Sequence, residues 1–176
     1  MLLGIIKIVL GVLGLAVVAG VGFGIMRTMK SERHNNQAIF VSGKAVLPTP
    51  GLYLGTAAGY RGSWRGKLIE ENGQRGANVF EDIDSITGLT KSQLRRYPFG
   101  LYQAKGLRDH ELDVIVLDYN QVGNPWWLRY VTDEIVQTSP TAYLGKVHIK
   151  ITPKIVYTIG YFTLEQPVTA PAEDAS

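Results

Sequence analysis

The chain has 176 residues, of which 45% are hydrophobic, with 18 basic and 15 acidic side chains and no cysteine. The missing cysteine excludes a disulfide framework, a thiolate metal site and a cysteine nucleophile. The net charge of +3 resides in the first forty residues, where Lys7, Arg27, Lys30 and Arg33 oppose Glu32. Subtracting these leaves 14 basic and 14 acidic side chains beyond residue 40, a neutral remainder that argues against a nucleic-acid partner.

The first predicted element is a long apolar helix. Residues 8–26, between Lys7 and Arg27, form a run of 19 without a charged or polar side chain. At 1.5 Å per residue the run extends roughly 28 Å, against ~30 Å of bilayer hydrocarbon. This predicts a single-pass transmembrane anchor with a basic flank over residues 1–30. A cleaved secretory leader is the competing reading, with Val17-Val18-Ala19 as its small-residue cleavage site. The apolar run passes that site and stops on Arg27 and Lys30, as an uncleaved anchor would. Ala16, Gly20 and Gly24 recur every four residues, a small-residue stripe that offers a route to self-association. Arg27, Lys30 and Arg33 after the run exceed Lys7 and the α-amino group before it by one charge, a slight bias toward a cytoplasmic C-terminal domain at a membrane of the bacterial inner kind.

Residues 31–50 read as a linker, polar from Ser31 to Gln37 and irregular where Pro48 and Pro50 flank Thr49. From Gly51 to Gln166 the hydropathy period falls to two, with turn residues every eight to twelve positions, the pattern of a β-sandwich or barrel. Eight strands are predicted, at 51–56, 60–71, 75–82, 99–105, 112–119, 127–138, 142–151 and 155–164. Asn72-Gly73 suits the type I′ turn between the second and third. Residues 88–97 alone have helical character, with Thr90 as cap and Pro98 as stop. Lys91, Arg95 and Arg96, the tightest basic cluster of the domain, read there as a solvated face. Short connections imply antiparallel neighbours. The tail, 167–176, has little to bury and is expected to be disordered.

Alternation assigns the faces. Val147, Ile149 and Ile151 alternate with Lys146, His148 and Lys150, which sets His148 on the solvent side. Val114-Ile115-Val116-Leu117 is apolar on both faces and calls for cover outside and an apolar interior. Val114, Val116, Leu128, Tyr130 and Ile149 are the candidate lining of a ligand cavity.

Gly62, Trp64 and Gly66 spell G-x-W-x-G within Gly59-Tyr60-Arg61-Gly62-Ser63-Trp64-Arg65-Gly66-Lys67. An indole flanked by glycines lets a neighbouring backbone lie close to the ring. The motif resembles the first-strand signature of the lipocalin and calycin group, and is similar to that of the bacterial GXWXG-motif proteins. The resemblance implies an antiparallel barrel whose tryptophan closes one end beneath a cavity for a hydrophobic ligand, with Gly62, Trp64 and Gly66 structural. Two lipocalin features are incomplete: Asp118-Tyr119-Asn120 only echoes the usual threonine-aspartate-tyrosine stretch, and Arg129 would have to be the arginine stacked on the tryptophan.

Asp109, His110, Glu111 and Asp113 have the composition of a general base or metal site, yet along an extended chain His110 points away from the three carboxylates. A charged turn leading into the strand at Leu112 accounts for them better. Asp133 and Glu134 would hydrogen-bond a ligand head group if buried and would be unremarkable if exposed on an edge. No phosphate loop, nucleophile elbow or zinc spacing occurs, and neither a metal nor a cofactor is expected. Trp126 and Trp127, beside Pro125, suit either a bilayer interface or a barrel plug. The sequence therefore points to a membrane-anchored, mainly β, lipocalin-like barrel that binds a lipid or other hydrophobic small molecule without catalysis. An assembly factor working through protein contacts at the membrane is the alternative, and an enzyme using Asp109, His110 and Asp113 a third.

Overall fold

The computed structural model describes the backbone of residues 2–57, 59–83 and 90–167, and the side chains of residues 15–57, 59–81 and 93–167. Nine residues of the expected disordered tail, 168–176, lie outside the described residues, as do 88 and 89 of the predicted helix. Two helices, α1 (Leu2–Glu32) and α2 (Asn35–Ser42), precede eight strands. These are β1 (Gly51–Ala57), β2 (Trp64–Ile69), β3 (Arg75–Ile83), β4 (Thr90–Lys105), β5 (Asp113–Asp118), β6 (Val131–Ser139), β7 (Ala142–Thr152) and β8 (Ile155–Glu165), with a 3-10 turn at Trp126–Tyr130. Each strand pairs antiparallel with the next, and β8 pairs with β1 to close the barrel, leaving no open sheet edge.

Two stretches depart from the sequence expectation. The predicted helix near 88–97 is instead the first half of β4, paired with β3 from Ile83–Thr90 to Arg75–Gly100. Cross-strand pairing outweighs local propensity, and Pro98 is admitted by a register shift next to Tyr97, whose φ of 57° is left-handed. The stretch predicted as linker contains α2, capped by the His34 side chain accepting from Asn36 N at 3.1 Å and fixed by the fully buried Phe40.

The side chains divide into two cores. Tyr53, Ile69, Phe99, Leu101, Ile115, Leu117, Ile135, Tyr143 and Leu164 fill one half of the barrel interior. Phe40 with Val114, Val116, Val136, Leu144 and Tyr161 forms a separate cluster outside the barrel wall, under α2. The both-sided apolarity of β5 thus follows from an interior on one face and a helix on the other. Gly66 sits at the β2 bulge with φ +145°, where a Cβ would lie 1.9 Å from Tyr53 O; only glycine fits.

α1 runs beside β8 in the same direction. Gly24 abuts the Tyr157 ring, Thr28 Oγ1 accepts from Thr158 N at 3.0 Å, and Tyr161 OH donates to Ser31 O at 3.2 Å. The earlier part of α1 therefore departs at the barrel end that holds the β7–β8 turn. There Leu15, Val17, Val18, Phe23 and Met26 are exposed. Among the described residues no helix is long and apolar enough to cross a membrane.

Candidate functional site

The other half of the barrel interior is hollow. A cavity of about 380 Å³ is walled by Ala57, Trp64, Phe80, Leu128, Val131, Val147 and Phe162, and reaches the surface beside the exposed Tyr60. Register places this half at the end formed by the β1–β2 and β7–β8 links: Ala57 pairs with Phe162, Trp64 with Phe80, and Val131 with Ile149. The cavity thus opens at the end where the exposed apolar part of α1 departs. Its volume lies within the 300–1,000 Å³ of ordinary small-molecule sites, which pair apolar walls with a few fixed polar groups.

Those polar groups are Lys67, Asn78, Tyr119 and Asp133. The bulge between Trp64 and Gly66 shifts the phase of β2, so that Trp64 and Lys67, three positions apart, both face inward. The Lys67 ammonium donates to Asn78 Oδ1 at 2.9 Å, Tyr119 OH at 2.5 Å and Asp133 Oδ2 at 2.9 Å. Tyr119 OH donates to Asp133 Oδ2 at 2.8 Å, and Trp64 Nε1 to Asn78 Oδ1 at 3.0 Å. Rings of Phe162, Phe99, Tyr119 and Trp64 surround the ammonium at 5.0–5.7 Å, within reach of the cation–π attraction. Burial lowers the Lys67 pKa, opposed by the charge and hydrogen bond of Asp133. Burial, then the Asp133 charge, holds the Tyr119 phenol well above its usual value, so at neutral pH it remains a donor.

A second polar network lies outside the wall and fastens the helices. Glu134 accepts from Leu107 N at 2.5 Å and meets His148 Nε2 at 3.1 Å, while His148 Nδ1 lies 3.2 Å from Thr158 Oγ1. Lys146, over the Phe40 ring at 4.4 Å, is paired with Asp109, which also accepts from Gln37 Nε2 at 2.7 Å. Burial alone would raise the Asp109 pKa, but the Lys146 hydrogen bond and charge outweigh it and hold the carboxyl below its usual range. His148 is 0% exposed, which corrects the solvent-facing assignment: it lies outside the barrel wall, but α1, α2 and the β4–β5 link cover that face.

The candidate residues separate accordingly. Leu128 lines the cavity, whereas Val114 and Val116 face outward in the α2 cluster and their neighbours Ile115 and Leu117 face inward. Tyr130 is exposed, edge-on to Trp126. Ile149 lines an apolar groove of about 400 Å³ against Val17, Gly20 and Val21 of α1. Within the motif, Trp64 stands in the hollow half with its edge on Phe162, rather than at the packed end, and the cation over it is Lys67, not the exposed Arg129. Gly24 of the small-residue stripe contacts this chain's own β8. Asp109 is taken by Lys146 and Asp113 pairs with Lys105 at 3.1 Å; His110 is exposed. The enzyme candidates do not converge, and among the described residues no group of three His, Asp or Glu could hold a metal. Trp126 and Trp127 are exposed at the mouth end, with the Trp127 ring edge-on to Tyr97 at 6.4 Å.

Of the polar cluster, the sequence indicated Asp133 as a partner for a ligand head group, and Tyr119 only within the partial Asp118-Tyr119-Asn120 echo. Asn78 and Asp133 carried a legible signal, each sharing its inward face with apolar neighbours: Phe80 for Asn78, Val131 and Ile135 for Asp133. Lys67 did not, because the bulge reverses its phase.

The closed eight-stranded antiparallel barrel is consistent with lipocalin-like architecture. Comparison with known protein families, curated proteins and solved structures finds no match, so the GXWXG resemblance rests on Gly62, Trp64 and Gly66.

Proposed function

We propose that the chain is a membrane-anchored, non-catalytic binding protein for a lipid or other hydrophobic small molecule. The observation that carries this reading is the cavity of about 380 Å³, apolar-walled and opening at the barrel end from which α1 departs. The uncharged run of residues 8–26 would hold that mouth against the bilayer, and exposed Trp126 and Trp127 beside it suit the interfacial belt. Exposed Arg61, Arg129 and Lys154, on links at the same end, would favour an anionic lipid surface. A ligand could then pass between bilayer and cavity without crossing water.

The test is native mass spectrometry of the full chain purified in mild detergent, with solvent extraction of the same sample and N-phenylnaphthylamine as a fluorescent reporter of apolar sites. The expected result is a co-purified apolar molecule, or one reporter molecule bound per chain. A chain that carries nothing and does not bind the reporter overturns the reading and favours an assembly role.

A further inference from the structure

We propose that the cavity takes an uncharged apolar molecule ending in a hydrogen-bond donor, a hydroxyl group above all, and that Asp133 Oδ1 receives it. The inference rests on the binding function above and specifies the ligand's head group.

It follows from counting the valences of the polar cluster. An ammonium has three donors, and those of Lys67 are spent on Asn78, Tyr119 and Asp133. Asn78 Oδ1 accepts from both Lys67 and Trp64, and Asn78 Nδ2 serves Tyr119 OH at 3.2 Å and Tyr97 O at 3.4 Å. The Tyr119 hydroxyl donates to Asp133 Oδ2, which thereby receives two hydrogen bonds. Among the described residues none donates to Asp133 Oδ1, although that side chain is only 6% exposed and lines the cavity. The cluster presents one open position, and it is an acceptor.

The sign of that position selects the ligand. A carboxylate or phosphate head would find no free donor in this cluster and would face the Asp133 charge. A cationic amine would be set near the Lys67 ammonium, which already shares that carboxylate. A hydroxyl donates to Oδ1 without adding charge, and leaves a dry, apolar site for the chain behind it.

The full chain, held in amphipol, is loaded with N-phenylnaphthylamine and displaced by dodecanol, dodecyl methyl ether or dodecanoate, with empty amphipol as control. Dodecanol is expected to bind at least tenfold more tightly than the ether or the carboxylate, as a hydrogen bond to a charged acceptor allows. Asp133→Asn keeps an oxygen for Lys67 and Tyr119 and turns an amide N–H₂ into the cavity, to which alcohol and ether oxygens can both accept, so the preference for the alcohol should be lost. Should that variant not fold, Lys67→Met/Asp133→Asn, which leaves no unpaired charge, replaces it. Equal affinity for alcohol and ether in the parent chain overturns the inference while leaving the cavity reading intact. Failure of the reporter to bind a chain that also carries no co-purified molecule overturns the cavity reading itself, and the inference with it.

Discussion

Replacing Lys67 by Met keeps a stem of similar length but strands the Asp133 carboxylate, which loses its cation and one of its two hydrogen bonds. With both side chains of the pair no more than 6% exposed, breaking it should cost about 3–5 kcal/mol. The loss has a ceiling, because a stranded carboxyl group can escape by taking up a proton. For an ordinary aspartate that costs about 4 kcal/mol at pH 7 and about 1.5 kcal/mol at pH 5, at 1.36 kcal/mol per pH unit. The variant's folded state then binds a proton that its unfolded state lacks, so its deficit should shrink as the pH falls. Replacing the whole pair, Lys67→Met with Asp133→Leu, should be close to neutral. Guanidinium denaturation of the full chain in mild detergent at the two pH values measures this, followed by fluorescence after Trp126→Phe and Trp127→Phe leave Trp64 as reporter. A Lys67→Met deficit below about 1 kcal/mol, or one equal at pH 7 and pH 5, would refute the view of Lys67 and Asp133 as a mutually dependent buried pair.

Three further outcomes follow from the geometry. Gly66→Ala should prevent folding or cost more than the ~1–3 kcal/mol of a strained backbone alone, since its Cβ would lie 1.9 Å from Tyr53 O; a normal thermal midpoint would contradict the bulge. The Asp109 carboxyl, held below its usual value of 3.8 by Lys146, contributes stability that is complete above that value and lost as pH falls through the lower folded one. Pepsin cleavage within α2 should therefore begin only below about pH 4, and at higher pH in Lys146→Gln; cleavage insensitive to that substitution would argue against the Lys146–Asp109 link as the clasp. In vesicles containing brominated lipid, Trp126 and Trp127 should be quenched, whereas Trp126 and Trp127 left unquenched would place the barrel mouth away from the bilayer.

The β-architecture was legible because each strand is bounded by turn chemistry and carries a period of two. Asn72-Gly73 marked one hairpin, Ser139-Pro140 and Thr152-Pro153 two more, and each of the eight predicted strands overlaps an observed one, although the second runs past β2 at both ends and the fourth covers only the latter part of β4. The error at 88–97 is of another kind. Gln93, Leu94, Arg95 and Arg96 have ample helix propensity, but in a closed barrel β3 needs a partner on its second edge, and nine β3 residues find theirs in β4. That demand comes from topology, and no window of ten residues contains it.

The site was less legible than the fold because inward and outward are properties of the closed barrel rather than of a strand. Period two says that Val114 and Val116 share a face and that Ile115 and Leu117 share the other; only α2, lying over the former pair, decides which is the interior. The same ambiguity concealed the division of labour in β6. Asp133 and Glu134 are adjacent and both nearly inaccessible, yet one joins Lys67 inside the barrel and the other joins His148 outside it. A strand with carboxylates on both faces would be destabilised unless each face supplied a buried base, and these bases come from β2 and β7. The matching partners, distant in sequence, let β6 form at once part of the cavity wall and the seat for the helices.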